Sequence, residues 1–347
     1  MSSPHVRKLS PDQVLTLPDS LASNATFTAL DSWTQLARKI YGYETYRFEA
    51  LQGNEVTGIL ALTHVRHPIF GNYLATSPFG SFGGFAFSSL DARDGLLNEA
   101  PKLADDLNVE YAVLRFIEAG NPPPAPWQQN PIYSTYLIDL PPDPEDLMKT
   151  FGAQHRKHTR QALRKGFNVR FGHLELLDET YEALARSMHE LGSPYHSKHY
   201  LRTMATLLGE DLEFAVIKDA KGLLAGSAVL VYHGETATNL HANILHKYRS
   251  EYAGECLYWS ILEHYCRRGM KVCDMGRSLN GSGNETFKFK WRPRKVPLAY
   301  WYYLPNGGHI PELNQKSPKF QLAIWMWKRS PAFVVRALGP RLINGLV

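Results

Sequence analysis

Hydrophobic positions recur along this chain with two different periods, one typical of helices and the other typical of strands. In the segment 31–41, Trp33, Leu36 and Ile40 fall on one face at helical spacing, and Gly42 follows as a stop signal. The helical period predicts helices over 31–41, 90–107, 178–191, 199–208 and 253–268, and a helical region from Asp143 or Pro144 to Gly166. Alternating or wholly apolar runs predict strands over 43–51, 56–64, 69–76, 111–117, 133–140, 212–218, 223–233, 236–244, 270–274 and 297–303, with a surface loop over 120–131.

The two halves of the chain repeat one order of predicted elements: a helix, antiparallel strands, a helix, a strand and a further strand. Residue identities do not repeat, so the duplication is one of pattern only. The segment Pro141-Pro-Asp-Pro144 interrupts the pattern between the halves. The sequence therefore predicts an α/β (α+β) fold with two tandem domains, whose mixed, mainly antiparallel sheets are flanked by helices. The expected domains are 1–141 and 142–310, followed by a C-terminal helical segment over 311–347.

Composition and charge limit the classes of function that this sequence could have. The 347 residues are 44% hydrophobic and 20% charged, as in an ordinary folded protein, and the length favours two cores. A net charge of +5 does not reach the level typical of a dedicated nucleic-acid binder, and a small anionic substrate or a phosphate-bearing carrier fits this charge as well. The three cysteines lack metal-ligand spacing, so we expect no metal site and a reducing compartment. The first 21 residues lack a signal-peptide core and no run approaches a membrane span, so the expected location is cytoplasmic.

The segment 274–291 is the most informative stretch for chemistry. An apolar strand runs into Asp274-Met-Gly276, which predicts a tight bend at a strand end, where sites of α/β domains commonly lie. Lys288 and Lys290 alternate with aromatic residues, which predicts a strand with both lysines on one side. This pattern indicates either the cationic wall of a pocket or a hairpin with a solvated basic face.

Five segments in a fixed order carry a resemblance to a known family. They are Val56-Thr-Gly-Ile-Leu-Ala-Leu62 with Phe70-Gly71, Ser77-Pro-Phe79 with Gly83-Gly84, Arg156…Arg160-Gln-Ala…Lys165-Gly166, Leu191-Gly-Ser-Pro194, and Asp274-Met-Gly-Arg-Ser278…Gly283…Phe287-Lys-Phe-Lys-Trp291. The chain resembles the Fem-type (FemAB-like) aminoacyl transferases, which carry two fused acetyltransferase (GNAT)-like domains. It is most similar to the branch associated with exosortase (PEP-CTERM) and exopolysaccharide gene clusters.

The resemblance implies transfer of an acyl or aminoacyl group to an amino group of a cell-envelope or exopolysaccharide precursor. It places Lys288 near the reacting carbonyl, where a cation stabilises the oxyanion of a tetrahedral intermediate. It implies no tightly bound cofactor, with an acyl donor, either aminoacyl-tRNA or acyl-CoA, as co-substrate. The implied partners are an anionic or glycan-type small molecule and tRNA. The family often has Trp-Gly where this chain has Trp291-Arg292-Pro293.

Amine acylation needs a proton acceptor and an oxyanion partner, so acids near the lysines are candidates. Asp274 is either that base or a cap of the following turn, and Glu285 is the alternative acid. Arg277 is either a phosphate clamp or a surface ion pair. The catalytic candidates are Lys288, Asp274 and Glu285, and the substrate-binding candidates are Arg277, Ser278, Gly276, His241, Asn243, Lys290, Arg156 and Arg160.

Three further features keep two interpretations each. Side chains alternate along a strand with a period of two, which places three polar residues on one face: Asn239, His241 and Asn243. This face either lines a pocket or is exposed to solvent. The basic run 156–165 contacts a polyphosphate or tRNA, or it is a solvated helix face. The segment 249–254 precedes a helix, where N-acyltransferases hold a cofactor pyrophosphate; the full glycine-rich signature is missing, which argues against a standard coenzyme A site and leaves aminoacyl-tRNA or another activated donor open.

The C-terminal segment 319–347 interleaves aromatic and aliphatic residues with lysines and arginines and is split by Pro331. Such a segment either makes peripheral contact with anionic lipid or packs its apolar side on the protein.

Two other functions stay open beside aminoacyl transfer. One is acetyl transfer from acetyl-CoA, and the other is a non-catalytic binding module of a polysaccharide assembly system.

Overall fold

The computed structural model of the protein describes residues 4–15, 17–22, 25–117, 123–311 and 318–345. The strands are β1 (His5–Lys8), β2 (Glu44–Gln52), β3 (Glu55–His67), β4 (Gly71–Ala75), β5 (Phe85–Phe87), β6 (Tyr111–Ile117), β7 (Gln128–Gln129), β8 (Tyr133–Asp139), β9 (Asn168–Gly172), β10 (Leu212–Lys218), β11 (Leu224–His233), β12 (Thr236–Ile244), β13 (Val272–Asp274), β14 (Ser278–Leu279) and β15 (Arg294–Tyr303). The helices are α1 (Asp19–Ala22), α2 (Asp31–Tyr41), α3 (Leu90–Asp106), α4 (Pro144–Thr150), α5 (Ala153–Leu163), α6 (Leu177–Leu191), α7 (Lys198–Leu208), α8 (Ala253–Arg267), α9 (Gly283–Phe289), α10 (Pro318–Arg329) and α11 (Ala332–Ile343).

The chain forms two compact units. The first contains residues 1–134, 297–312 and 344–347, and the second contains residues 135–296 and 313–343. The strand predicted over 297–303 is present as part of β15, and these residues lie in the first unit although they follow the second in sequence. The domain boundaries expected at 141/142 and 310/311 stay a prediction.

The first unit is built on a sheet in the order β1-β2-β3-β4-β6-β15. Neighbouring strands are antiparallel except for the parallel pair β4 and β6. Helix α3 packs on this sheet, and its Leu96 belongs to the same buried cluster as Leu60, Leu114 and Trp301. Gly58 permits the close approach of α3, because a Cβ atom there would lie 2.9 Å from the Leu96 side chain.

The second unit is built on a sheet in the order β8-β13-β12-β11-β10-β9. The pair β12 and β13 is parallel and the other neighbours are antiparallel. One face packs on α8, where Ala228, Leu230 and Leu257 share a buried cluster. The other face packs on α6, where the Ser227 hydroxyl donates to the Thr180 carbonyl at 3.1 Å. Because Ser227 and Ala228 are adjacent on β11, their opposite contacts follow from the alternation of side chains along a strand.

The predicted fold class is confirmed, and most predicted helices and strands are present within one to three residues of their expected bounds. The helical region expected from 143 to 166 is two helices, α4 and α5, separated at Phe151-Gly152. The loop expected over 120–131 lies partly outside the described residues and contains the short strand β7. The C-terminal segment forms two helices that break around Pro331.

The strand predicted through Phe287-Lys-Phe-Lys-Trp291 is wrong, because this segment belongs to helix α9 and the turn after it. The Ser282 side chain caps α9 by accepting the Glu285 backbone N–H at 3.3 Å. A serine followed three residues later by a glutamate is the pattern of a helix start. The alternation of lysines and aromatics therefore does not reflect a strand.

In the part of the chain that the structure covers, none of the helices is both long and apolar enough to cross a membrane.

Candidate active site

The parallel strands β12 and β13 of the second unit pair with each other over only three residue pairs. These pairs run from Thr236 opposite Val272 to Thr238 opposite Asp274, where β13 ends. Strand β12 continues to Ile244 along β11. The sheet is therefore open between β12 and the turn after β13, at the C-terminal ends of two parallel strands. Ligands of open α/β sheets commonly bind in this position.

A β-bulge in β12 divides the polar residues near this opening between two faces. Asn239 lies opposite Leu230 and His241 opposite Val229, so Leu240 is an extra residue. The Asn239 amide oxygen accepts the Tyr265 hydroxyl at 2.7 Å on the α8 side. The prediction that Asn239 shares a face with His241 and Asn243 is wrong, because the extra residue shifts the alternation by one.

His241 and Asn243 lie on the face that packs on α6. Ala242, between them, packs into the cluster on the α8 side, so its two neighbours point the other way. The His241 ring lies 5.6 Å from the Tyr195 ring and 6.1 Å from the His196 ring. Burial lowers the pKa of His241 to about 4, so the imidazole is neutral at physiological pH.

A cavity of about 240 Å³ lies between α6 and α11. Tyr195 and His196 line it, and their rings also contact His241. The face of β12 that carries His241 therefore approaches this cavity through those two rings.

The turn after β13 is fixed by Asp274 and Gly276. The buried Asp274 carboxylate accepts the Gly276 backbone N–H at 2.8 Å and the Thr135 hydroxyl. Gly276 has a φ of +77°, and a Cβ atom there would lie 3.3 Å from the Asn239 carbonyl oxygen. The turn therefore lies against β12 at the point where the strands diverge, and glycine suits both the positive φ and the close approach.

Lys288 connects α9 to this turn. Its buried ammonium group donates to the Gly276 carbonyl at 2.6 Å and to the Arg277 carbonyl at 3.0 Å. It also lies 5.1 Å from the centre of the Tyr136 ring. Burial lowers the pKa of Lys288 to about 8, although the negative charge of Asp274 acts in the opposite direction.

The two acids beside Lys288 have opposite properties. Burial raises the pKa of Asp274 above its ordinary value, although hydrogen bonds from Thr135 and Gly276 and the charge of Lys288 oppose this. The pKa of Glu285 is lowered to about 2, chiefly by its hydrogen bond from Lys295. The Glu285 carboxylate accepts Lys295 Nζ at 2.7 Å, the Tyr136 hydroxyl at 2.6 Å and the backbone N–H of Gly281.

Ser278 lies at the start of β14 and is 5% exposed. Its hydroxyl has no hydrogen-bond partner within the described part of the chain. A buried hydroxyl without a partner is uncommon and is often found where a ligand or water binds. Ser278 directly follows Arg277, whose carbonyl accepts the Lys288 ammonium.

The structure brings Asp274, Gly276, Glu285 and Lys288 together, whereas other candidates contact different groups. Lys290 does not share a side with Lys288, because the helical turn directs it to Glu255, where Nζ lies 3.2 Å from the carboxylate. The Arg156 guanidinium donates to the Phe151 carbonyl at the end of α4. Arg160 is exposed in the last turn of α5.

The start of α8 is occupied by side chains of the protein. Tyr252, just before the helix, has a φ of +62°, and its ring stacks on the His158 ring at 4.8 Å. The buried Glu255 lies in the first turn of α8 and pairs with Lys290. A carboxylate in this position competes electrostatically with any phosphate for the positive end of the helix.

Sequence reasoning missed the residues that hold the site together from distant segments. They are Thr135 and Tyr136 on β8, Tyr265 on α8 and Lys295 on β15. Thr135 and Asp274 are 139 positions apart, so no local pattern could have paired them. Within the described ranges, no group of three or more His, Cys, Asp and Glu side chains could hold a metal ion.

Comparison with known proteins assigns this region to a transferase class. Residues 153–289, from α5 to α9, match the family described as acetyltransferase (GNAT) domain. The protein is therefore an acyltransferase with a GNAT-type domain in its second unit. Among curated proteins, none matches the chain.

Solved structures show the same fold over most of the chain. FemX has a TM-score of 0.63 at 14% identity, covering 88% of this chain and 96% of its own. The L-PGS protein from Bacillus licheniformis has a TM-score of 0.51 at 13% identity, covering 79% and 87%. A tandem GNAT protein from the clavulanic acid biosynthesis pathway has a TM-score of 0.51 at 13% identity, covering 78% and 85%. These likenesses show a shared tandem GNAT-like fold.

Proposed function

We propose that this protein transfers an acyl or aminoacyl group to an amino group of a cell-envelope or exopolysaccharide precursor. The observation that carries the proposal is the buried ammonium of Lys288, held at the turn where β12 and β13 diverge. The fold shared with FemX supports the Fem-like assignment. The resemblance of the sequence motifs supports the exosortase and exopolysaccharide branch.

In the proposed reaction the acceptor amine attacks the carbonyl carbon of the donor and forms a C–N bond. The carbonyl electron pair moves to oxygen, and it returns when the C–O or C–S bond to the donor breaks. An ammonium group has three donors, and Lys288 uses two on the Gly276 and Arg277 carbonyls. The third is assigned to the oxyanion, in a buried place where electrostatic stabilisation is strong.

The amine loses one proton to a base, and the leaving oxygen or sulfur gains one. Asp274 is the better candidate for the base, because burial raises its pKa toward the working range. Glu285, with a pKa lowered to about 2, is a weak base, so we give it a positioning role. It holds Gly281 and Tyr136 and thereby fixes the loop before α9.

Substrate binding is assigned to the walls of the opening. On one side, the Arg277 side chain and the Ser278 hydroxyl are assigned to an anionic group of a glycan-type acceptor, and Gly276 shapes the turn that presents them. His241 and Asn243 bind on the α6 face of β12. Arg156 and Arg160 lie on the basic helix α5, and Lys290 follows α9 and pairs with Glu255; we assign all three to donor phosphates.

We take aminoacyl-tRNA as the donor because the start of α8 disfavours coenzyme A. The Glu255 carboxylate lies in the first helical turn, and Tyr252 stands before it with its ring against His158. These groups oppose binding of a coenzyme A pyrophosphate at the helix start. Acetyl transfer from acetyl-CoA is the second candidate, because the matched family is described as an acetyltransferase domain.

A donor panel tests both candidates. The protein is incubated with charged tRNAs or acyl-CoA donors and envelope precursors, and mass gain on the acceptor is followed. Lys288→Met is expected to lower turnover about 100-fold or more, as loss of an oxyanion donor does. Lys271→Met, at an exposed lysine of the same unit, serves as the matched control. Equal turnover in the two variants would remove Lys288 from the mechanism.

A further inference from the structure

Helices α10 and α11 expose an unusual number of large apolar side chains. On α10, Leu322, Trp325 and Met326 are 58%, 52% and 57% exposed, and on α11 Phe333 is 74% exposed. Clusters of exposed apolar side chains commonly mark a site of interaction with a protein or a membrane.

The exposed residues of α10 form one stripe. Leu322, Trp325, Met326 and Arg329 have the spacing i, i+3, i+4 and i+7, which places them on one helix face. The opposite face holds the helix on the protein, where Trp327 Nε1 donates to the Ser193 carbonyl at 3.1 Å. The apolar stripe is therefore not the face that packs against the second unit.

Helix α11 has the same division. Val335 and Gly339 are buried against the protein, and a Cβ atom at Gly339 would lie 3.0 Å from the Tyr195 carbonyl oxygen. Phe333, Leu338 and Arg341 are exposed. Together with the stripe of α10 these residues form what we term the apolar–cationic face: Leu322, Trp325, Met326, Arg329, Phe333, Leu338 and Arg341.

The charge of the C-terminal segment indicates which kind of partner binds this face. The segment 313–347 contains six lysines and arginines and no aspartate or glutamate. On the stripe itself, the Arg329 guanidinium lies 4.0 Å from the centre of the Trp325 ring. A large aromatic and aliphatic stripe bordered by cations, with no acid in the segment, is complementary to a surface with anionic headgroups above an apolar layer.

We infer that the apolar–cationic face binds anionic phospholipid membranes. Its apolar side chains enter the boundary between headgroups and acyl chains, while Arg329 and Arg341 remain at the level of the phosphates. Each cation near such a surface contributes about 1 kcal/mol, which is about fivefold in the partition coefficient. This contact would place the second unit beside a lipid-linked substrate, although it does not depend on the proposed chemistry.

Cosedimentation with vesicles tests the inference with the full chain. We expect binding to vesicles of phosphatidylcholine mixed with phosphatidylglycerol, weak binding to phosphatidylcholine alone, and a decrease in binding with added salt. The double substitution Trp325→Ser and Met326→Ser should reduce binding at least about tenfold. Arg329→Gln and Arg341→Gln should each reduce it by about fivefold.

Matched controls come from the exposed turn between β10 and β11. Leu223 is 52% exposed, as Trp325 is, so Leu223→Ser removes an equally exposed apolar side chain. Lys221→Gln removes an exposed cation from the same turn. Both controls should bind vesicles as the unchanged protein does, and the melting temperature of every variant shows that it is folded.

Three results would overturn the inference. One is equal binding to neutral and anionic vesicles, and another is equal binding by the Trp325→Ser/Met326→Ser variant and its control. The third is that another partner occupies the face. In that case the unchanged protein forms a dimer in sedimentation velocity or a complex with tRNA, and the same double substitution abolishes this complex while vesicle binding persists.

Discussion

At the scale of single residues, Lys288 illustrates how a buried charge can serve both structure and chemistry. The buried Lys288 ammonium donates its hydrogen bonds to two backbone carbonyls, which offset part of the cost of burying its charge. Those carbonyls belong to the turn that Asp274 holds from the other side. The cost of burial is visible in the pKa, which is lowered to about 8 and thus lies near the working range of an enzyme.

The pH dependence of turnover should report this lysine. Because the ammonium form of Lys288 has a pKa of about 8, kcat is expected to fall about tenfold per pH unit above that value. Lys288→Arg keeps a cation of much higher pKa, so the falling limb should move beyond pH 10 in that variant. An unchanged limb in the arginine variant would assign the titration to another group.

The effect of Lys288 on stability cannot produce the same limb. The pKa of Lys288 is about 10.5 in the unfolded chain and about 8 in the folded protein, so the unfolded state binds more protons between these values. Its contribution to the free energy of unfolding therefore rises with pH across this window. A rate that falls there, while stability contributed by Lys288 rises, separates chemistry from denaturation.

Gly276 and Gly281 form a natural pair for testing the turn. Their φ angles are +77° and +76°, so an alanine at either site carries similar backbone strain, about 1 kcal/mol. Among the residues that the structure describes, the new Cβ atom would meet a neighbour at Gly276, the Asn239 carbonyl oxygen at 3.3 Å, and none at Gly281. Gly276→Ala should therefore lower the free energy of unfolding in urea by about 1 kcal/mol more than Gly281→Ala does. It should also lower turnover, because it displaces the Gly276 carbonyl, which accepts the Lys288 ammonium. Equal effects of the two substitutions would contradict this geometry.

At the scale of elements, the structure predicted from the sequence and the observed structure differ most clearly at α9. Long amphipathic helices such as α2, α3 and α6 were predictable because a single apolar stripe faces one core. The seven residues of α9 are too few to show a helical period, so the alternation of lysines and aromatics suggested a strand. The local signal that contradicts a strand is Ser282 three positions before Glu285.

The candidate site was predictable in its local part and not in its long-range part. Asp274, Gly276 and Lys288 lie within fifteen residues of one another, so a motif could select them. The bulge at Leu240 leaves no mark in composition or period, yet it decides which way His241 and Asn239 point. The contacts of Tyr136 with Glu285 and Lys288 depend on strand order, which a period of hydrophobic residues does not specify.

The capping serine of α9 connects local helix chemistry to the site. Ser282→Ala should cost about 1 kcal/mol in the free energy of unfolding, as loss of an N-cap commonly does. It should also lower turnover about tenfold, because α9 carries Lys288. Ser197→Ala removes the equivalent cap of α7, where Ser197 accepts the Tyr200 N–H at 3.1 Å, and serves as the control. We expect the two variants to lose similar stability and only Ser282→Ala to lose activity; activity loss in both would indicate a global effect.

At the scale of the whole molecule, charge and chain path are both unevenly distributed. The segment 313–347 carries six cations and no acid against a net charge of +5, so the residues before it have a net charge of −1. The basic character of the protein is therefore a property of its C-terminal segment and not of its entire surface. Residues 313–343 of this segment belong to the second unit, although residues 297–312 before them belong to the first. Its helices thus contribute to the fold through one face and expose large apolar side chains together with Arg329 and Arg341 through the other.

Two tryptophans of α10 can separate these roles. Trp327 donates to the Ser193 carbonyl at 3.1 Å, and its own carbonyl lies 3.0 Å from His189 Nε2, so its side chain and backbone both join α10 to the end of α6. Trp327→Ala should lower the free energy of unfolding by about 2 kcal/mol through lost packing and an unpaired carbonyl. Trp325 is 52% exposed, so Trp325→Ala should change stability by no more than about 0.5 kcal/mol. Urea unfolding followed by circular dichroism measures both, and a similar loss in the two variants would mean that the exposed stripe of α10 is itself a packing surface.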